Sequence, residues 1–379
     1  MKIVFTGGIT GGHFYPIIAI AEAIHDLVSK EYIVAPKLYY IAPTPFDSQA
    51  LFANQITFLK NTAGKIRRYP SILNFTDFFF TIIGFIWSFF QLLILYPDVI
   101  ISKGGYASVP TVLAARVLAI PIIIHESDAK PGRANLLASH FAARIAISFQ
   151  SASTYFPEKV QKRIALTGIP VRKALRMSPP KDSATLLGID SSVPTIFIMG
   201  GSGGSKRINE IVLAALPDLV KMVNIIHQTG AKNIDGVRAI SAIALEGNPH
   251  PARYKPFAYL SAQAMLQSAS VSRLIVSRAG SGTIAEIATW KLPAILIPIP
   301  EEISHDQRKN AYAFAQSGAA VVIEEANLTT HILISEIQRL INDPDKARRM
   351  GEAGASFAQP EAAEIIAKEA LAIAITHES

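Results

Sequence analysis

Hydrophobic and polar positions along this chain follow one repeating order. A short apolar run comes first, then a cluster of glycines, then a longer segment with apolar residues at helical spacing. Met1–Thr6, Gly7–Gly12 and Pro16–Val28 show it first, with Ile17, Ile18, Ile20, Ala21 and Ile24 on the apolar side of the helical segment. Further strands are predicted at Lys37–Ile41, Val99–Ser102, Ile120–His125, Arg144–Ser148 and Ile164–Gly168. Runs this uniformly apolar leave no face for water, so they predict parallel strands covered on both sides. Ile169–Arg172 reads as an exit, because Pro170 disfavours helix in the residue before it. The order then restarts with strand Thr195–Met199, glycine turn Gly200–Gly204 and helix Ile208–Val220. Ile225–Gln228, Leu274–Ser277, Ala294–Pro298 and Ala320–Ile323 are later strand candidates. The pattern predicts an α/β protein of two Rossmann-like domains facing a central cleft. The expected boundaries are residues 1–168 and 169–358, with a segment 359–379 whose helix, Ala362–Thr376, packs back toward the first domain.

One segment breaks the soluble pattern. Phe78–Tyr96 carries no charge and meets the length test for a membrane span. The following DVIISKGGY, however, reads as a buried strand entering a glycine turn, and a span would strand it across the membrane from Met1–Thr6. A buried helix or helix pair with one membrane-facing side is therefore expected, spanning being the alternative. Lys60, Lys65, Arg67 and Arg68 precede it, a basic flank suited to an anionic membrane surface or, alternatively, a solvated loop.

Half of the residues are apolar and 17% are charged, enough for two large cores and against disorder. The absence of cysteine removes disulfides and thiolate metal sites, and a cytosolic location fits. A net charge of +7 suits anionic lipid or phosphorylated substrates. No motif favours nucleic acid, which is excluded as a partner.

Chemistry concentrates where strands end. Gly7–His13 lets backbone N–H groups approach an anion, and the next helix points its positive end there; a structural turn is the alternative. His13 at a helix entrance, neutral by the dipole, suits a general base or a purely structural role. Ser102–Tyr106 and Gly200–Gly204 repeat the motif on the same sheet edge. In Arg278–Glu286 a strand ends and a helix begins, so its open N–H groups suit phosphate. Glu286 suits ribose hydroxyls, or complements the helix dipole as a first-turn acid. His125–Asp128 puts carboxylates, Glu126 and Asp128, at a strand tip where they orient a nucleophile or bind sugar hydroxyls. No second cluster completes a metal site there. His305–Asn310 offers amides and charge, or is an ordinary polar helix start.

Taken in order, these segments resemble the UDP-N-acetylglucosamine:lipid I N-acetylglucosaminyltransferases of bacterial peptidoglycan synthesis. GGITGGHFYP, GKIRRY, SKGGYASVP, HESDAKPGRAN, TGIPVR, GGSGGSKRIN, HQTG, SRAGSGTIAEI and HDQRKNA carry the resemblance, which spans most of the chain. It implies a GT-B fold, with lipid acceptor on the N-terminal domain and UDP-GlcNAc on the C-terminal one. It implies inverting transfer of GlcNAc to the C4 hydroxyl of MurNAc in undecaprenyl-pyrophosphoryl-MurNAc-pentapeptide (lipid I), giving lipid II for the cell wall. By the same resemblance, Arg172, Ser202, Ser281, Gly282, Thr283, Ile284, Ala285, Glu286 and Gln307 contact the nucleotide sugar. Ala262 or Leu260 falls where a backbone contacts uracil. Thr10, Gly11, Gly12, Asp128 and Asn135 line the acceptor side, and His13 is the favoured base, with Asp128 and Glu126 behind it. No cofactor and no essential metal are expected. The implied location is the cytoplasmic face of the bacterial membrane, held peripherally, with other cell-wall synthesis proteins as further partners. Ile9, Ser127–Asp128 and Gly203 depart from the commoner pattern, which has Gly, Gln-Asn and Gln there. The alternatives are a GT-B transferase for another lipid, a UDP-GlcNAc 2-epimerase, and a non-catalytic nucleotide-sugar-binding scaffold.

Overall fold

The computed structural model describes residues 1–8, 10–32, 34–65, 73–201, 203–304 and 306–378. Ile9, Arg67, Arg68, Ser202 and His305, all singled out above, lie outside the described residues. The chain divides into two compact units, Met1–Arg172 with Gln359–Ser379, and Lys173–Ala358. Residues 169–172, placed by sequence with the second domain, group with the first. Ile169 is buried there, and the Arg172 guanidinium lies over the Tyr15 ring of the same unit, 3.8 Å from its centre.

In the first unit the elements run β1 (Lys2–Thr6), α1 (Gly11–Glu31), β2 (Lys37–Ala42), α2 (Ser48–Ala53), β3 (Ile56–Lys60) and α3 (Leu73–Leu95). They continue with β4 (Val99–Ser102), α4 (Val109–Val117), β5 (Ile122–Glu126), α5 (Arg133–Ser139), β6 (Arg144–Ile147) and β7 (Ile164–Leu166). All strands are parallel, in the order β3-β2-β1-β4-β5-β6-β7. β4 and β5 are buried along their whole length, as their apolar sequences require. The second unit has α6 (Ser183–Leu186), β8 (Thr195–Met199), α7 (Lys206–Met222), β9 (Asn224–Gln228), α8 (Ile234–Ala244), β10 (Tyr254–Phe257) and α9 (Ala262–Val271). After them come β11 (Leu274–Ser277), α10 (Ser281–Trp290), β12 (Ala294–Leu296), α11 (Gln307–Ala315), β13 (Ala320–Val322), α12 (Thr330–Ile341) and α13 (Pro344–Ala355). Its parallel order is β10-β9-β8-β11-β12-β13. Both sheets reverse direction beside their first strand, between β1 and β4 and between β8 and β11. That reversal is where an open α/β sheet leaves a crevice for ligand.

Two strands escaped the sequence reading, β3 and β10, and both are sheet edges. They are only partly buried, so their residues are mixed rather than uniformly apolar, and β10 tolerates Pro256 as an edge does. Helix α1 begins at Gly11, not Pro16. Thr10 stays extended and its carbonyl accepts the N–H groups of His13 and Phe14 at 3.0 and 2.9 Å.

Phe78–Leu95 lies in one helix, α3, rather than a pair; Leu92 is buried and Phe85, Phe89 and Leu95 pack on the core. Its small and polar residues face the protein. Gly84 packs on the Thr62 carbonyl, where a Cβ would sit 1.9 Å away, and Gly64 N–H donates to Thr81 Oγ1 at 3.2 Å. Ser88, fully buried, lies within 3.0 Å of Thr111 Oγ1 and accepts from Asn61 Nδ2 at 2.5 Å, and Leu92 completes the stripe. Residues 84, 88 and 92 repeat every four, so they share one helix face. Phe78, Phe79, Ile83, Ile86, Trp87, Phe90 and Ile94 are exposed on the others.

Helix α14 (Ala362–Glu378) returns to the first unit. Ala367, Ala370 and Ala374 let it approach α1 closely, while Ile366 and Leu371 fill the core with Ile17, Ile20 and Ile24. Leu371→Ala is expected to destabilise this unit by about 2–5 kcal/mol, read as a lower urea midpoint. An unchanged midpoint would place α14 outside that core.

Candidate functional site

In the first unit, three strand tips meet at the reversal. β1 delivers Gly7 and Gly8, β4 delivers Lys103–Gly105, and β5 ends in Glu126, followed by Ser127 and Asp128. The loops touch because they lack side chains. A Cβ on Gly7 would lie 2.8 Å from Lys103 Cβ, and one on Gly8 would lie 3.0 Å from the His13 ring. Gly104, at φ +75°, faces Asn135, whose amide would meet a Cβ at 2.6 Å.

His13 sits in the first turn of α1, half-buried, with Nδ1 2.9 Å from Thr10 Oγ1. Thr10 spends its hydroxyl there instead of capping the helix, so the leading N–H groups stay open to an anion. Burial holds the His13 pKa below its ordinary value, the Lys103 charge adds to that, and Asp128 opposes it. The imidazole is thereby kept neutral, as a base must be. Thr10 and Gly12 are exposed, whereas Gly11 is buried against Tyr15 and Phe46.

The two carboxylates of the β5 tip differ. Glu126 is buried and accepts from Asp128 N–H at 2.9 Å, Gly132 N–H at 3.0 Å and Asn135 Nδ2 at 2.9 Å. Burial and then Asp128 raise its pKa to about 7, against the downward pull of these bonds. Glu126 and Asn135 therefore tie the 126–135 loop together from inside. Asp128 is half-buried and is the carboxylate of the pair nearer solvent.

Sequence reasoning did not assign a role to Lys103 or His125. Both are fully buried, and Lys103 Nζ lies 2.5 Å from His125 Nδ1 and also donates to Ser127 Oγ. A lysine directly before two glycines at a strand end was the available signal. Its partners, from other segments, were not visible.

The second unit repeats the plan of glycine turns and helix starts. Gly204, at φ +74°, lies so close to the Thr229 carbonyl that a Cβ would approach it to 1.9 Å. Ser205 caps α7 through Ile208 N–H at 3.3 Å. It also accepts from Arg278 at 2.8 Å. Arg278 is buried, donates to the carbonyls of Ile297 and Pro298 at 3.2 and 3.3 Å, and pairs with Glu325. It fixes the loop from which α10 starts and is a tether rather than a ligand group. Gly280 leaves the start of α10 without a side-chain cap, the condition for anion binding at its N-terminus. Ser281 is buried there, and Gly282, Thr283 and Glu286 are half-buried. Ile284 and Ala285 turn their side chains into the core, leaving only main chain to offer. Gln307, half-buried at the start of α11, accepts from Ile299 N–H at 3.3 Å. Gln228, unassigned by sequence, bridges the Gly201 carbonyl at 3.2 Å and Leu260 N–H at 3.1 Å. It thus holds the segment leading to Ala262, the first residue of α9, which is half-buried. Arg172 belongs to the first unit, stacked on Tyr15.

Residues 3–147 match the glycosyltransferase family 28 N-terminal domain, and residues 195–366 match the family's C-terminal domain. A Treponema denticola protein named UDP-N-acetylglucosamine--N-acetylmuramyl-(pentapeptide) pyrophosphoryl-undecaprenol N-acetylglucosamine transferase is 35% identical over 375 residues, covering 96% of each chain. A Halothermothrix orenii protein of the same name is 34% identical over 95% of each. Among solved structures, MurG from Acinetobacter baumannii superposes with a TM-score of 0.72 at 25% identity, covering 98% of this chain and 100% of that one. A UDP-GlcNAc 2-epimerase from Neisseria meningitidis, bound to UDP-GlcNAc, reaches 0.69 over 98% of this chain and 100% of its own. At 15% identity it shows a likeness of fold alone. The two parallel-sheet units and these neighbours make the fold GT-B. With both domains matched and relatives aligned along nearly the whole chain, the protein belongs to glycosyltransferase family 28 and is a glycosyltransferase.

Proposed function

We propose that this protein transfers N-acetylglucosamine from UDP-N-acetylglucosamine to the C4 hydroxyl of the N-acetylmuramyl sugar of pyrophosphoryl-undecaprenol-linked pentapeptide. The product is the disaccharide lipid used in peptidoglycan synthesis. The observation that carries this reading is the asymmetry between the two sheet reversals. One holds a histidine kept neutral, and the other an uncapped helix start flanked by hydroxyls and a carboxylate. The names of the whole-chain relatives supply the sugar and the lipid.

The chemistry follows. With Nδ1–H donating to Thr10, His13 Nε2 carries the lone pair. It takes the proton of the acceptor C4 hydroxyl as that oxygen attacks the anomeric carbon. The bond from that carbon to the diphosphate breaks with its electron pair, UDP leaves, and configuration inverts. N–H groups at the start of α10, with Ser281 and Thr283, suit the diphosphate's developing charge. Glu286 suits the ribose hydroxyls and Gln307 the sugar hydroxyls, with Arg172 and Ser202 as further donor-side contacts. Thr10, Gly11, Gly12 and Asp128 are the acceptor-side contacts on this reading.

The exposed apolar face of α3 supports a peripheral seat on the cytoplasmic membrane surface, where a lipid-linked acceptor is found. A helix that turns Gly84, Thr81 and Ser88 inward and leaves Phe78, Phe79, Trp87 and Phe90 outward is suited to an apolar surrounding on the outer side. Lys60 and Lys65 lie on the adjoining segment, near enough in sequence to meet anionic headgroups.

Incubation with labelled UDP-N-acetylglucosamine and lipid I is expected to give the disaccharide lipid. Label transferred only to diacylglycerol, or N-acetylmannosamine released without acceptor, would replace this reading with one of its rivals. His13→Ala is expected to lower kcat by about 10²–10⁴ while the KM for UDP-N-acetylglucosamine stays nearly constant. Because the His13 pKa is depressed, wild-type kcat should hold down to below pH 6.5 and fall as the imidazole protonates. A near-normal kcat in the variant would remove His13 from the role. For the membrane, co-sedimentation with anionic vesicles should be strong for the wild type and lost in a Phe79→Glu/Trp87→Glu variant that melts normally. Retained binding would move the contact away from α3.

A further inference from the structure

The cluster behind the His13 loop contains a buried cation that the mechanism above does not use. Lys103 is 1% exposed and Nζ has two protein partners, His125 Nδ1 at 2.5 Å and Ser127 Oγ. An ammonium only donates, so His125 Nδ1 must accept. The ring proton of His125 is thereby confined to Nε2, which lies 2.9 Å from the Gly168 carbonyl and 3.1 Å from Ser148 Oγ. Ser148 in turn donates to the Glu126 carbonyl at 2.9 Å. One directed chain of hydrogen bonds runs from the β4 loop through the β5 tip to β6 and the end of β7. Its anchor is the lysine, and the residues it fixes, His125–Ser127, lead directly into Asp128.

The same cation faces the acceptor loop. Gly7 packs on the Lys103 stem and Gly8 on the His13 ring, so the stem and the imidazole lie against successive residues of one loop. The charged and titratable groups around Lys103 are His13 from α1, His125 and Glu126 from β5, and Asp128 beyond it. Asp128 places a carboxylate within electrostatic reach of the buried Lys103 ammonium, as Glu126 does. A buried ammonium without a nearby carboxylate would be costly, and so would the carboxylate without the ammonium.

We propose that Lys103 is a positioning residue for the transfer reaction, orienting the His125–Asp128 turn and offsetting the Asp128 carboxylate next to His13. Resting on the proposed transferase reading, this role adds a residue to the acceptor-side apparatus without touching substrate. Burial pushes the Lys103 pKa down to about 8, with Glu126 and Asp128 pulling it back up, so the lysine is charged at neutral pH and discharges in mild alkali. Its charge also lowers the His13 pKa. Removing it must raise that pKa and keep the imidazole protonated to higher pH.

The test compares wild type, Lys103→Met and Lys103→Gln in the lipid I assay across pH. Both variants are expected to lower kcat by at least about tenfold, within the range for a misplaced general base, with the KM for UDP-N-acetylglucosamine changed by less than about twofold. The acid limb of kcat should move to higher pH in both, and the wild-type decline near pH 8 should disappear. A purely structural lysine would not move the acid limb, so an unmoved limb, or a kcat within twofold of wild type, overturns the proposal. If neither variant folds, ¹⁵N-histidine spectra of the wild type decide the matter. His125 as the neutral Nε2–H tautomer supports the anchor, and the Nδ1–H tautomer refutes it. Absence of transfer by the wild type would sink the transferase reading instead, and the spectra would still test the lysine.

Discussion

Parallel strands all leave their sheet at the same edge, and the two units of this protein are built on that constraint. Each helix must start where its strand ends, so every helix N-terminus and every glycine turn is brought to one side. The order then matters as much as the edge. In each sheet the first strand is followed in space by strands laid down to its left and right, and the connections part beside it. The crevice left there is lined by main chain only if the residues around it are small. Gly7, Gly8, Gly104 and Gly204 meet that demand, since a Cβ on any of them would collide with backbone or with a site side chain.

Main-chain surroundings set the electrostatics. Glycine loops pack directly on one another, so the groups they enclose are buried and shifted from their ordinary pKa values. His13 falls, Lys103 falls to about 8 and Glu126 rises to about 7, burial being the leading cause each time. Burial pushes each toward its neutral form; Glu126 and Asp128 limit the drift of Lys103, Asp128 that of His13, and hydrogen bonds from Asp128, Asn135 and Gly132 that of Glu126. The result is an ordered division of labour. The inner groups, Glu126, His125 and Asn135, use their polar atoms on one another and hold the loop, while His13 and Asp128 remain at its outer side. Among the described residues of the second unit, the buried groups with strongly shifted pKa values are His227 and Tyr254, which hydrogen-bond to each other. Its buried ion pair, Arg278 with Glu325, is anchored to main-chain carbonyls and to the Ser205 cap, which makes it a brace for helix starts.

How much of this the sequence disclosed follows from the range of each interaction. Central strands such as Val99–Ser102, Thr195–Met199 and Leu274–Ser277 were legible because burial on both faces demands uninterrupted apolar residues. The edge strands β3 and β10 were not, because Thr57, Lys60, Lys255 and Pro256 interrupt them, whereas the edges β7 and β13 stay apolar and were legible. The glycine loops and the 281–286 helix start were legible as local patterns. The difference between Glu126 and Asp128 was not, since two residues apart in sequence they look alike. Only the approach of Gly132 and Asn135 turns one of them inward. Lys103 and His125 are separated by a whole helix and become neighbours through the pairing of β4 with β5. Arg172, placed by sequence within the second domain from residue 169, groups with the first unit, where it stacks on Tyr15, a contact no local pattern announces.

Fold alone does not choose among the activities that share it. An epimerase acting on a UDP-sugar superposes nearly as well as the transferase neighbour does. An epimerase returns its sugar without needing a second substrate, whereas a transferase to lipid must reach an acceptor whose tail lies in a membrane. On the proposed transferase reading, helix α3 is the surface that would meet that requirement. A water-facing helix would be destabilised by so many exposed aromatic and branched residues, and a core helix would bury them. Here the buried stripe is instead Gly84, Ser88 and Leu92, satisfied by Asn61 and Thr111 of the same unit. Those hydrogen bonds fix which way the helix faces, and so keep its apolar side outward on the unit that also carries His13 and Lys103. His13, Lys103 and the apolar face of α3 therefore belong to one unit, which supports the proposed lipid-linked acceptor over a soluble substrate.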